Sequence, residues 1–342
     1  MRKLYKKLEG SDNIQCLACN HYCHIKPNQT GICSVRKNVD GELKLLVENR
    51  PVAINIDPIE KKPLFHFLPG TEIFSFGTFG CNFRCLFCQN WDISQFPKGN
   101  KNFEEFVAQS TENWPPEKIV DYCTENKIPA IAYTYNEPAV FVEYCYETMA
   151  LAHQHKIKNV FVSNGYESRE TIELVAPYLD AINIDLKSMQ ETFYQKVCGA
   201  HLEPVLKNIQ TFYEKGVWVE LTTLIIPNEN DSEEELKQIA KFIAEIDPDI
   251  PWHISRFFPS YQMENYPMTP MNTLKKAYEI GKENGLHFVY AGNIIEESLE
   301  NTYCPKCGVL LIERQGYNIK IKDDFRNGRC LNCKAAIKGV WK

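Results

Sequence analysis

The chain has 342 residues, enough to bury a substantial core and long for one simple domain, and its 44% hydrophobic content excludes a disordered chain. A net charge of −6 and a pI near 5.8 exclude a global field for nucleic acid or an anionic membrane surface, leaving room only for local basic patches. No apolar run approaches a membrane span, and the Met1 to Lys7 stretch lacks the apolar core of a signal peptide, so the sequence predicts a cytoplasmic protein.

Fourteen cysteines without an export signal point to metals rather than disulfides. Eleven of them fall into three local groups. Three segments follow: 1–70 with the first group, 71–300 with the second, and 301–342 with the third. Cys123 and Cys145 read as core side chains, and Cys198, ahead of Gly199, as a packed thiol that could also face the site.

In the first segment, Cys16, Cys19, Cys23 and Cys33 lie in a short, turn-rich stretch that four thiolates can close around a metal without a large core. Such a set suits structural zinc and equally a second iron–sulfur cluster. His21 and His24 flank it, as surface side chains or substitute ligands. Leu43 to Glu48 reads as a strand after the Asp40-Gly41 turn. The prolines between Asp57 and Phe67 forbid a regular helix or central strand. Lys61, Lys62 and His66 either line a site mouth or belong to a solvated turn.

The second segment opens with the apolar run Ile73 to Gly77, a buried strand, followed by Gly80-Cys81-Asn82-Phe83-Arg84-Cys85-Leu86-Phe87-Cys88-Gln89-Asn90. Three cysteines cannot complete a tetrahedral zinc site. They suit a [4Fe-4S] cluster with one iron left open. The stretch resembles the cluster motif of the radical S-adenosylmethionine (SAM) enzymes. The resemblance implies that Cys81, Cys85 and Cys88 hold the cluster and that SAM chelates the open iron. One electron then cleaves SAM to methionine and a 5′-deoxyadenosyl radical, with Phe87 beside the cofactor.

Beyond the motif, candidate strands at 130–135, 159–163, 181–185, 217–224, 252–255 and 287–290 alternate with helical patterns. One apolar stripe is Val142, Cys145, Met149 and Ala152; another is Leu236, Ile239, Ala240, Ile243 and Ile246. Ser232 with Glu235 reads as a capping box, which makes Glu233 to Glu235 an exposed first turn. The alternation predicts an α/β fold with a parallel sheet and chemistry at the C-terminal ends of its strands, and the resemblance to the radical SAM enzymes implies a partial (βα)6-type radical SAM barrel. Residues at those ends are the site candidates. Asn136 and Glu137 resemble contacts to the SAM amine, although the Gly-Gly-Glu common in these proteins is replaced by Tyr-Asn-Glu. Ser163 and Asn164 could meet the ribose. Lys187 could pair with the SAM carboxylate, with Asp185 polarising the site, or the two form a surface ion pair. His253 could touch adenosine or substrate, or sit in the core; Arg256 could bind an anionic substrate group.

In the third segment, Cys304 and Cys307 form one CxxC knuckle and Cys330 and Cys333 another, with β-rich filler between them. The pattern predicts a structural zinc ribbon, with a rubredoxin-like iron site as the alternative.

The whole chain resembles one family, the radical SAM component of the AmmeMemoRadiSam system. The resemblance rests on the Cys16–Cys33 group ending Gly31-Ile32-Cys33-Ser34-Val35-Arg36, the run 57–70, the block 80–91, Tyr133 to Pro138, Trp252 to Pro259, and the ribbon ending Gly339-Val340-Trp341. That family is similar to pyruvate formate-lyase activating enzyme. The resemblance implies a reductant such as flavodoxin or ferredoxin, and Memo-like and AMMECR-like partner proteins. The expected activity is reductive SAM cleavage, of oxidoreductase or lyase type, on an unknown small-molecule or protein substrate. The alternatives are an activase of a glycyl-radical enzyme, a non-catalytic iron–sulfur electron-transfer or scaffold protein, and a radical enzyme modifying nucleic acid with the zinc modules as docking elements. The acidic net charge speaks against the last.

Overall fold

The computed structural model describes residues 4–292 and 297–342. Its centre is an eight-stranded sheet of β1 (Ala53–Pro58), β2 (Glu72–Gly77), β3 (Ala130–Tyr133), β4 (Lys158–Ser163), β5 (Ala181–Asp185), β6 (Trp218–Ile225), β7 (Trp252–Arg256) and β8 (Val289–Gly292). Neighbours in sequence are neighbours in the sheet. β2 to β8 run parallel, and β1 pairs antiparallel with β2. Helices Pro116–Glu125, Val142–Gln154, Arg169–Val175, Leu202–Glu214, Glu233–Ile246 and Met271–Glu283 fill the connections, as the alternation predicts. β1 lies upstream of residue 71, so the sheet draws its edge strand from the segment assigned to the N-terminal module. Pro58 closes that strand, in keeping with the confinement of proline to sheet edges.

Strand alternation divides the sheet into two faces. Phe74, Phe76, Ile131, Tyr133, Phe161, Ile182, Ile184, Leu221 and Ile254 pack in one core with the helices. On the opposite face Ile73, Ala130, Ala132, Val160 and Ala181 meet Ile59, Leu64, Phe67 and Leu68 of the segment after β1. The small residues at these positions let that segment lie close to the sheet near the starts of its strands. The helix stripes fall where expected, with Val142, Cys145, Met149 and Ala152 buried. Ser232 caps its helix through the Glu235 N–H. Glu235 itself departs from the expected exposed turn. It is buried and accepts hydrogen bonds from the Ser188 hydroxyl and the Met189 N–H, tying this helix to the loop after β5.

The C-terminal module carries an antiparallel pair, Leu310–Gln315 with Asn318–Ile321. It seats on the sheet through a buried polar network. The Glu220 carboxylate on β6 accepts four bonds, from the N–H groups of Phe65 (2.9 Å) and His66 (2.8 Å), from Trp218 Nε1 (2.9 Å) and from His253 Nε2 (2.7 Å). Burial holds His66 near pKa 4, hence neutral. Its Nδ1–H donates to Lys338 O, so its Nε2 accepts from Tyr290. Arg314, 1% exposed, donates to Thr302 Oγ1 and to Phe65 O. His66 therefore lies beneath the sheet and not at a site mouth. Among the described residues no helix is long and apolar enough to cross a membrane.

Candidate active site

β2 is buried from Ile73 to Gly77 and delivers the chain to the three-cysteine loop. Gly80 is required at the turn: its φ is +91°, and a Cβ there would stand 2.6 Å from Val35 Cγ1 and 2.8 Å from Cys33 O. Asn136, after β3, braces this turn. Its Oδ1 accepts from Thr78 N (3.0 Å), and its Nδ2 donates to Thr78 Oγ1 (3.1 Å) and Gly80 O (2.8 Å).

The loop itself is held on a second side by the 194–198 turn, where Arg84 N donates to Cys198 O (2.8 Å) and Leu86 N to Val197 O (3.0 Å). Lys98 Nζ donates to Phe83 O (2.6 Å). Phe83 and Phe87 are buried and make the loop's apolar wall. Burial raises the thiols of Cys81 and of Cys88, the latter to about 11. Cys85 is raised by a hydrogen bond with Cys198 and then by burial. A thiol ligates a metal once a cation replaces its proton, and three cysteines on one loop leave one iron of a cubane free for another ligand. The three-thiol set thus fits an iron–sulfur cluster.

Lys187 and Asp185, at the end of β5, stand beside this loop. Lys187 Nζ donates to Asp185 Oδ2 (2.9 Å) and lies 5.5 Å from the Phe87 ring centre. Burial opposes its charge, but Asp185 outweighs it and holds the ammonium well above its usual pKa. Lys187 is buried and Asp185 half-buried, so the pair is only partly open to solvent.

Glu137, Ser163 and Asn164 converge behind the loop. Glu137 is 2% exposed and accepts from Asn164 N (2.8 Å), Ala139 N (3.1 Å) and the Ser163 hydroxyl (3.0 Å). Asn164 Nδ2 donates to Asn82 Oδ1 (2.8 Å). The side chains of Asn136, Glu137, Ser163 and Asn164 are therefore committed to fixing loops, a duty the sequence does not reveal. Glu167, absent from the sequence candidates, joins them through Ser163 Oγ at 2.6 Å.

Two candidates lie away from this convergence. His253 is 4% exposed, bonded to Glu220, stacked on Tyr290 and set edge-on to Phe65. It belongs to the buried Glu220 network, the core position the sequence offered as one of its two readings. Arg256 spends its Nε on Thr269 O (2.9 Å) and lies 5.6 Å from the Phe258 ring, so its first task is to hold the chain after β7.

The remaining cysteine sets differ from each other. The C-terminal four have all Sγ atoms within 4.8 Å of one another, with Cys304–Cys333 at 3.5 Å and Cys307–Cys330 at 3.7 Å, a set able to bind a metal ion. Cys16, Cys19, Cys23 and Cys33 are gathered beside the three-cysteine loop. Burial raises Cys19, with Cys16, Cys33 and Cys23 adding to the rise. The Arg36 guanidinium donates to Cys16 Sγ (3.2 Å) while pairing with both oxygens of Glu143 at 2.6 Å.

A family model described as the radical SAM superfamily matches residues 76–243. An uncharacterized protein of Methanocaldococcus jannaschii is 42% identical over 97% of this chain and 97% of its own. The isethionate sulfite-lyase activating enzyme of Oleidesulfovibrio alaskensis is 24% identical over 30% of this chain and 35% of its own. The crystal structure of Streptococcus suis SuiB bound to precursor peptide SuiA superposes with a TM-score of 0.50 at 15% identity, over 69% of this chain and 52% of that one.

Proposed function

Because residues 76–243 match the radical SAM superfamily model and part of the chain is similar to activating enzymes, we propose that it cleaves SAM reductively to act on a substrate held at the C-terminal ends of its sheet strands. The supporting observation is the joint placement of the Cys81, Cys85 and Cys88 loop with the Lys187–Asp185 pair at those ends. When bound, a [4Fe-4S] cluster and SAM supply the electron and the 5′-deoxyadenosyl radical.

The chain's own residues do the rest. Cys81, Cys85 and Cys88 ligate the cluster. Lys187 offers an ammonium to the SAM carboxylate, and Asp185 keeps that ammonium charged and aimed. Phe83 and Phe87 exclude water from the loop. Asn136, Glu137, Ser163 and Asn164 fix the loop's position, so their contribution to the cofactor runs through backbone placement. In this reading the eight-stranded sheet is the partial barrel of the superfamily, and the C-terminal cysteines hold zinc in a ribbon.

A second reading narrows the substrate to a glycine of a partner protein. It is favoured by three relatives named as activating enzymes, for isethionate sulfite-lyase, choline trimethylamine-lyase and 4-hydroxyphenylacetate decarboxylase. Memo-like and AMMECR-like proteins, implied by the family resemblance, are the first partners to supply. The test is anaerobic reconstitution, dithionite reduction and assay of 5′-deoxyadenosine, with Cys85→Ala as control. Product from the wild type alone supports the proposal. A fully loaded, reducible cluster that yields none, partners included, returns the protein to the electron-transfer or scaffold class.

A further inference from the structure

Thiolates that share one tetrahedral ion stand about 3.8 Å apart, given a Zn–S bond of about 2.3 Å. The C-terminal four meet that spacing. Among the described residues they are the one group of three or more potential ligands whose donor atoms all lie within 4.8 Å. Neither Cys81, Cys85 and Cys88 nor Cys16, Cys19, Cys23 and Cys33 draw together so tightly. In a cubane each thiolate takes a separate iron corner, so the sulfurs must stand farther apart than ligands of a single ion. The N-terminal four, like the cluster loop, fall outside the spacing of the ribbon.

Their surroundings point the same way. The buried Arg36 Nε–H aimed at Cys16 Sγ is a charge-assisted donor of the kind that stabilises a ligating thiolate and tunes a cluster's potential. The set also lies directly against the SAM-binding loop. Cys33 O and Val35 press on Gly80, the residue before Cys81, and His21 Nε2 is 3.0 Å from Asn82 O, the residue after it. Toward solvent, Cys23 is half-buried and Ile32, next to Cys33, is 40% exposed.

We propose that Cys16, Cys19, Cys23 and Cys33 hold a second [4Fe-4S] cluster that passes electrons to the cluster at Cys81, Cys85 and Cys88. The donor is a reduced low-potential flavin or iron–sulfur carrier protein, which loses one electron. That electron crosses the N-terminal cluster, which returns to its oxidised state, and reduces the SAM-binding cluster by one. No bond to the chain is made or broken.

The proposal rests on the radical SAM reading for the acceptor, but the cluster itself can be read without turnover. A Cys81→Ala/Cys85→Ala/Cys88→Ala protein, reconstituted with iron and sulfide, is expected to keep about half the wild-type iron and acid-labile sulfide. On reduction it should give an electron paramagnetic resonance signal that SAM leaves unchanged. Loss of all iron, with zinc bound instead, overturns the proposal, as does iron at the level of a single or paired ion. A Cys19→Ser/Cys23→Ser protein then tests the path. It should form deoxyadenosine at least tenfold more slowly than wild type with reduced ferredoxin, and at a similar rate with titanium(III) citrate. Equal losses with both reductants overturn the relay. If wild type forms no deoxyadenosine with either reductant, the SAM reading fails, while the iron count still decides the cluster.

Discussion

The carboxylates of Glu137 and Glu167 meet across one hydroxyl: Ser163 Oγ is 3.0 Å from Glu137 Oε1 and 2.6 Å from Glu167 Oε1. Gly165 N already donates to that oxygen at 2.9 Å. The hydroxyl has one proton to give and two carboxylates to satisfy, so one carboxyl must carry a proton of its own. Glu167 Oε2, buried without a partner, marks Glu167 as the neutral member. Burial raises both groups.

A carboxyl whose folded pKa is raised stabilises the fold fully below its unfolded value of 4.5 and loses that contribution as pH climbs through the raised value. Glu167→Gln keeps the shape and the hydrogen bond to Ser163 but removes the titration. Wild type should therefore lose stability relative to this variant above about pH 5, by up to about 1.4 kcal/mol per pH unit. Urea unfolding at a series of pH values measures it; parallel stability curves would show that no proton is shared.

Lys187→Met removes the ammonium beside Phe87 and leaves the cysteines untouched. Equilibrium binding of SAM to the reconstituted, oxidised protein should weaken about tenfold or more, with iron content unchanged. Unaltered affinity would remove Lys187 from the SAM site and leave its partner Asp185 as its sole business.

Glu220→Ala strands three buried donors and the half-buried Trp218 Nε1 at once. The expected cost is about 3–5 kcal/mol in the midpoint of chemical unfolding. Burial opposes the Glu220 charge, but the hydrogen bond from His253, with that from Trp218, outweighs it and holds the carboxyl below its usual value. The stabilisation it provides is thus present above pH 4.5 and lost as pH falls through the lowered value. A variant as stable as wild type at pH 7 would contradict the network.

The C-terminal thiols make a fourth case. Cys307→Ser should release about one metal ion per chain and lower the thermal midpoint, because the knuckles position Arg314 and Trp341 against the sheet. Metal analysis and calorimetry on the same sample check both. An unchanged midpoint after metal loss would mean the module folds without its ion.

How much of this was legible follows from where each residue finds its partners. The cluster loop and the strand ends are local patterns, and β5 falls on the expected residues. His253 was placed on its face by alternation, yet alternation says nothing of what lies opposite. Its partner Glu220 is 33 positions away, and the other groups bound to Glu220 include N–H donors 154 and 155 positions away. Glu235 shows the same limit from the other side. The capping pattern found the helix start, and a contact to Ser188 47 residues back then buried the side chain. Asn136 looked like a cofactor ligand because polar groups at strand ends often are; only the fold reveals that Gly80 and Thr78 use its amide first.

The seat of the C-terminal module on the sheet bears on how the protein is made. Val340 N donates to His66 O, Leu68 N to Val340 O, and the Trp341 ring packs 5.1 Å from His66. His66 lies in the segment that covers the sheet near its strand starts, and its ring nitrogen bonds to a carbonyl 272 positions later. On a ribosome the central strands emerge long before that partner. Until residue 340 is free to fold back, the nascent sheet keeps this segment unsealed, a window in which a chaperone or a protease would find it.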